Sequence, residues 1–281
     1  MDNRIGNAIG EIRSIDTAAN QDQWMNRLHP LVKLMLTVLY IALTVSFSRY
    51  QLAGILCMAV YPLVAFTVGE ISFAGCLKRL RIVLPLVCMV GILNPFFDRS
   101  EALRVGSLVV SGGVLSMVTL MLKGVLTVLA SYLLIITTPI EKLCRALRMI
   151  HVPKIIVTEL LLIYRYVTVL LAEANRITQA YSLRAPGQKG VAFKAWGPLL
   201  GQMLLRSMDR AGVLYESMCI RGFNGEFPAA ADRDKVSAAQ RRTDLLWLAG
   251  WTAVFVVIRF FPVTEWVGGL FVRGADEPHP H

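Results

Sequence analysis

"LVKLMLTVLYIALTVSFSRYQLAGILCMAVYPLVAFTV", residues 31–68, decides the fold class. Two apolar runs, Leu31 to Phe47 and Leu52 to Val68, are joined only by "SRYQ". A helix needs about 20 apolar residues to cross the hydrocarbon core of a bilayer. Backbone placed in lipid must satisfy its own hydrogen bonds, which selects helix. The four-residue link then predicts a tight helical hairpin.

Working outward, a third run, Ile82 to Phe97, contains Pro85 and Pro95 and reads as a kinked or broken span. A fourth, Val105 to Ile136, carries a single charge, Lys123, and begins with a lead-in containing "SGGV". A fifth, Leu245 to Phe261, has flanking tryptophans and Arg259, the composition of an interfacial belt. The whole chain is 55% hydrophobic and only 17% charged. Soluble domains lie nearer about 45–50% apolar. The fold expected is an all-α integral membrane protein with about five transmembrane helices.

The net charge is +10. In a soluble protein that would suggest nucleic acid, but its placement gives another account. Sixteen of the 29 Lys and Arg residues fall between Thr137 and Thr243, four in the first 33 residues, and three between Gly69 and Arg81. The loops of the opposite side carry Arg49, Arg99 and Arg104, and the tail carries Arg273. Five spans with the N-terminus inside and the C-terminus outside place every basic segment in the cytoplasm, as the positive-inside rule requires. The partner expected from charge is the lipid bilayer, not nucleic acid.

This gives a polar N-terminal segment (1–26), four spans within 27–137, a cytoplasmic region (138–243), a last span (244–262) and a tail (263–281). The polar start has no apolar core of a signal peptide. Within 138–243, "TPIEKLCRALRMIHVPK" reads as a short amphipathic helix between Pro139 and Pro153, with Ile140, Leu143, Leu147 and Ile150 on one face. From Ile155 to Arg184 there is neither Gly nor Pro, so one long helix is expected. A second runs from about Leu199 to Ile220 and stops at Gly222.

Both long helices end on an arginine. At an offset of 37 residues, "AYSLRA" aligns with "SMCIRG". Each has a small residue four before the arginine, a branched aliphatic just before it and a small residue just after. One cation near a helix C-terminus is ordinary dipole complementation. Two matched ends suit bidentate capture of carboxylates on an acidic partner surface. The residues singled out are Ser182, Leu183, Arg184 and Ala185 on the first end, and Cys219, Ile220, Arg221 and Gly222 on the second.

With these motifs, the chain resembles the transmembrane T component of energy-coupling factor (ECF) transporters, in its cobalt-type branch. "SMDRAGVLYESMCIRGF" is similar to that family's second Ala-Arg-Gly-like motif and "ITQAYSLRAPG" to its first. "RLHPLVKL" and "TPIEKLCRALRMIHVP" match its N-terminal approach and short coupling segment, and the resemblance spans about residues 27 to 262. Ala185 stands where the family has glycine, and Leu183 and Ile220 where it has alanine. The resemblance implies a non-catalytic scaffold. Two ATP-binding-cassette ATPase subunits would dock on the arginine-ended helices, and a membrane S component would bind the substrate, cobalt or nickel in this branch. A T component shared among vitamin-binding S components is the alternative.

No GxxxxGK[ST] occurs, so ATP chemistry falls to a partner. The five cysteines form no CxxC, the four histidines are scattered, and neither a cofactor nor a metal site is expected in this chain. A self-contained carrier would use ionisable groups inside its spans, for which Lys123 is the main candidate. A membrane enzyme would need clustered His, Asp, Glu or Cys there, and no acidic pair lies in a span.

Overall fold

The computed structural model describes residues 3–21, 23–48, 52–69, 101–105, 108–185, 187, 190–223, 225 and 238–260, with isolated positions at 71, 75, 81, 85 and 89. The third apolar run, Ile82 to Phe97, and the tail therefore lie largely or wholly outside the described residues. What is described is helical, with one short antiparallel hairpin, β1 (Glu101–Val105) with β2 (Leu108–Ser111). That hairpin occupies the lead-in, so the fourth span begins at Gly112 rather than Val105.

The chain divides into two compact units. The first comprises residues 22–137 and 236–281. Its helices are α2 (Trp24–Arg27), α3 (Pro30–Ser46), α4 (Leu52–Met58), α5 (Val60–Val68), α6 (Gly112–Thr137) and α10 (Ala238–Phe260). α6 over Gly113–Thr137 and α10 over Arg241–Phe260 are long and apolar enough to cross a membrane, and Pro30–Ser46 and Leu52–Val68 are shorter apolar helices.

The second run of the opening stretch is two helices because of Pro62. Proline has no N–H and clashes with the carbonyl four residues back, which here belongs to Met58, the last residue of α4. The freed Met58 carbonyl accepts instead from the Tyr40 hydroxyl of α3 at 3.1 Å. Tyr40 is fully buried and packs its ring against Tyr61 and Phe255, with centroids 4.9 and 5.4 Å away. Trp251 closes on Tyr61 at 4.9 Å. The core of this bundle is thus an aromatic cluster donated by α3, α5 and α10, with Leu36, Ile55, Met58, Leu126 and Ala130 around it.

Two lysines fix the pairing of α3 with α6. Lys33 near the start of α3 donates to the Thr137 carbonyl at the end of α6, at 2.8 Å. Lys123 of α6 donates to the Val45 and Phe47 carbonyls at the end of α3, at 3.1 and 2.5 Å. Each lysine meets acceptors that a helix C-terminus leaves unpaired. The helices are therefore antiparallel, and Lys123 has a structural role that weakens its candidacy as an ion-carrying group. α10 runs parallel to α3. Asp244 near its start accepts from the His29 N–H at 3.3 Å, and Arg259 near its end lies 5.2 Å over the Phe47 ring. Buried Thr37, Thr44, Thr119 and Thr137 each donate to the carbonyl four residues back in their own helix.

The second unit comprises residues 1–21 and 138–235. It contains α1 (Asn3–Ala19), α7 (Ile140–Met149), α8 (Lys154–Arg184), a 3₁₀ turn at Phe193–Ala195 and α9 (Trp196–Ile220). α1 was not foreseen. Ile9, Ile12 and Ile15 recur on one face among polar residues, the period of an amphipathic helix, and α1 and α7 both pack on α8. α7 buries Cys144 and Ala146. Burial, and the Glu141 charge, push the Cys144 thiol above its ordinary value.

Two histidines are fixtures of the backbone. His29 caps α3, its Nδ1 accepting from the Leu31 N–H ahead of Pro30 at the first helical position. His151 ends α7 with φ +66°, where the Val152 N–H meets the Leu147 carbonyl and the His151 N–H meets that of Arg148. His279 and His281 lie outside the described residues.

Candidate docking ends

α8 is a helix throughout because nothing in its 31 residues breaks it, and it stops where Pro186 and Gly187 follow Ala185. The Ala185 N–H returns to the Tyr181 carbonyl at 3.1 Å, and Ala185 has left helical geometry at φ −124°, ψ 64°. The left-handed residue comes two positions later, Gly187 at φ +95°.

α9 ends differently. Gly222 adopts φ +81°, its N–H bonds the Cys219 carbonyl, and the Phe223 N–H bonds that of Met218, both at 2.9 Å. This is the Schellman arrangement, which needs the left-handed geometry that glycine adopts without strain. The glycine-to-alanine difference between the motifs thus has a structural counterpart: α9 turns directly after its arginine, and α8 does so only at Gly187.

The two ends share their exposure. Ser182, Leu183, Arg184, Cys219, Ile220, Arg221 and Gly222 are all exposed, and Ala185 is half-buried. Among the described residues, neither Arg184 nor Arg221 meets an acceptor. The two most exposed aliphatic side chains among the described residues are Ile220, at 87%, and Leu183, at 82%. Each immediately precedes an arginine. Exposing a leucine or isoleucine forgoes about 1.5–3 kcal/mol of burial. Each end therefore pairs an uncommitted arginine, a residue type enriched at interface hot spots, with an exposed aliphatic. Tyr215, one turn before Cys219, has its phenol held above the ordinary range by that thiol.

Arg184 and Arg221 sit at the ends of separate helices. What links their helices is upstream: Glu173 of α8 accepts from the Arg206 guanidinium of α9. An open cleft of about 600 Å³ lies beside this pair. No group of three or more His, Cys, Asp or Glu side chains comes together among the described residues.

A helical bundle with lysine-capped, antiparallel apolar helices, joined in one chain to arginine-ended helices whose tips carry unpaired aliphatics, defines a multi-pass membrane subunit. The family comparison makes the class specific. Residues 21–230, about three quarters of the chain, match the family described as CbiQ, cobalt transport protein, and the chain belongs to it. This is the T-component family of ECF transporters. The energy-coupling factor transporter transmembrane protein EcfT of Leuconostoc gelidum subsp. gasicomitatum is 27% identical over 88% of this chain and 96% of its own length. EcfT of Lacticaseibacillus paracasei is 28% identical over 73% of this chain and 82% of its own. The nickel permease LarQ of Lactiplantibacillus plantarum is 29% identical over a shorter stretch, 35% of this chain and 36% of its own. Helix α1 lies ahead of the matched range, and α10 lies after it.

Proposed function

We propose that this chain is the coupling scaffold of an ATP-driven ECF importer, with two ATP-binding-cassette ATPase subunits docking on the ends of α8 and α9. The carrying observation is the matched pair of exposed tips, Leu183-Arg184 and Ile220-Arg221. Both arginines act as bidentate donors to carboxylates in a partner groove, and the aliphatic before each fills the adjoining apolar surface. Ser182, Ala185, Cys219 and Gly222 allow close approach around them.

A membrane S component binds the substrate. The sides of α8 and α9 leave Ile155, Ile163, Leu200, Leu204 and Leu205 exposed, apolar surface that lipid or that component would cover. α8 is itself apolar enough over Lys154–Arg184 to count as a candidate span, with its polar half toward Arg184. In this reading its apolar half lodges at the membrane and both arginine ends face the cytoplasm. The N-terminus is cytoplasmic and the C-terminus outside, as the Lys and Arg distribution supports. The substrate is cobalt or nickel, in keeping with the family description and the LarQ similarity. The EcfT similarities favour a T component shared among several S components as the second reading.

Co-purification in mild detergent from native membranes tests this. The wild-type chain is expected to bring down two ATPase subunits and a small membrane protein. The double variant Arg184→Glu, Arg221→Glu is expected to insert normally and to lose ATPase capture at least ~30-fold. Equal capture by both would reduce the arginines to helix-end charges. The binding preference of the small membrane protein decides between metal and vitamin.

A further inference from the structure

We propose that Glu173 and Arg206 form the pivot of the two arginine-ended helices, as positioning residues that set the spacing of Arg184 and Arg221. The inference rests on the coupling role proposed above.

α9 has no fully buried residue, and Leu199, Met203, Leu214 and Met218 are only half-buried, so apolar packing holds it shallowly. α8 buries only Val157, Thr158, Glu173 and Ile177. Glu173, 9% exposed, accepts from Arg206, while Arg176 of its own helix stands 3.8 Å from the other carboxylate oxygen. A carboxylate this buried holds its partner tightly, because separating them leaves an uncompensated charge. The contact is thus strong at one point. The open cleft bordered by Tyr166, Asp209, Arg210 and Ser217 leaves room beside that point.

A crossing fixed at one charged contact can change its angle without losing the contact. Arg184 lies eleven residues beyond Glu173, and Arg221 fifteen beyond Arg206. At about 1.5 Å per residue these are arms of about 16 and 22 Å. A turn of about 10° at the pivot moves such tips by about 3–4 Å, the scale of conformational coupling between domains.

Spin labels at Gln179→Cys and Glu216→Cys, both exposed and away from the tips, report the spacing in an otherwise cysteine-free full-length chain in lipid nanodiscs. Glu173→Gln and Arg206→Gln are expected to broaden the distance distribution about twofold or more. The swapped pair Glu173→Arg, Arg206→Glu restores the wild-type width, and Arg210→Gln leaves it unchanged. In the assembled complex, the neutral variants retain ATPase subunits but lose about fivefold in cobalt(II) uptake per ATP hydrolysed. Narrow distributions in both neutral variants, or no restoration by the swap, overturn the pivot. Should a neutral variant fail to accumulate, the swapped pair decides alone. If the wild-type chain captures no ATPase, the coupling role fails, and the label distances still judge the pivot independently.

Discussion

The bundle of α3, α4, α5, α6 and α10 and the arms α8 and α9 solve opposite problems with similar compositions. In the bundle the large polar interruptions described above find partners within the unit: Tyr40 serves the carbonyl that Pro62 releases, and Lys33 and Lys123 cap facing helix ends. In the arms, a 25-residue helix has no fully buried residue, and two arginines lack acceptors among the described residues. An element that leaves so much unsatisfied is stable only where lipid or another chain completes it. The contrast separates a part whose polar groups are satisfied internally from a part whose ends are left exposed.

The sharpest way to break that contrast is truncation in each part. Phe255→Ala removes a ring from the bundle core and is expected to cost about 3–5 kcal/mol, read as a lowered melting temperature in detergent. Val213→Ala on exposed α9 is expected to change it by under about 0.5 kcal/mol. Equal losses would mean that α9 is packed in the isolated chain. Next in size, Leu183→Asp with Ile220→Asp leaves melting unchanged but weakens ATPase capture at least ~10-fold in the pull-down.

A smaller effect tests the lysines. Lys123→Met strands two carbonyls at the end of α3 and is expected to cost about 1–3 kcal/mol in melting. Substrate uptake by the surviving protein should be unaffected; loss of uptake with full stability would return Lys123 to the role of a carrier group. Smallest is Gly222→Ala, a loss of about 1 kcal/mol from forcing φ +81° on a side chain, against a gain of up to about 1 kcal/mol for Gly201→Ala in the open helix interior. The loss is confined to the last turn of α9 and is read as faster amide exchange there.

Much of this was legible because apolar length and helix breakers are local signals. The first two spans, the short helix α7 and the ends of α8 and α9 follow from runs and punctuation to within about three residues, whereas the fourth and last spans begin about seven residues away from the starts read from sequence. The break in the second span escaped notice because Pro62 sits inside an unbroken apolar run, and its consequence depends on a tyrosine from another helix. α1 escaped because a 17-residue polar segment with four spaced isoleucines carries a weak period until α8 covers it. The Glu173–Arg206 contact joins residues 33 positions apart, and no local pattern marks two charges that far separated as partners.

The two lysine caps also gauge the membrane. Fourteen residues separate Lys33 from Phe47 on α3, and fourteen separate Lys123 from Thr137 on α6. At 1.5 Å per residue that is about 21 Å between the two ammonium levels, against a hydrocarbon core of about 30 Å. Lys33 is buried and both ammonium groups are satisfied by helix-end carbonyls, so the pair places two charges closer together than the core is thick without exposing them to lipid.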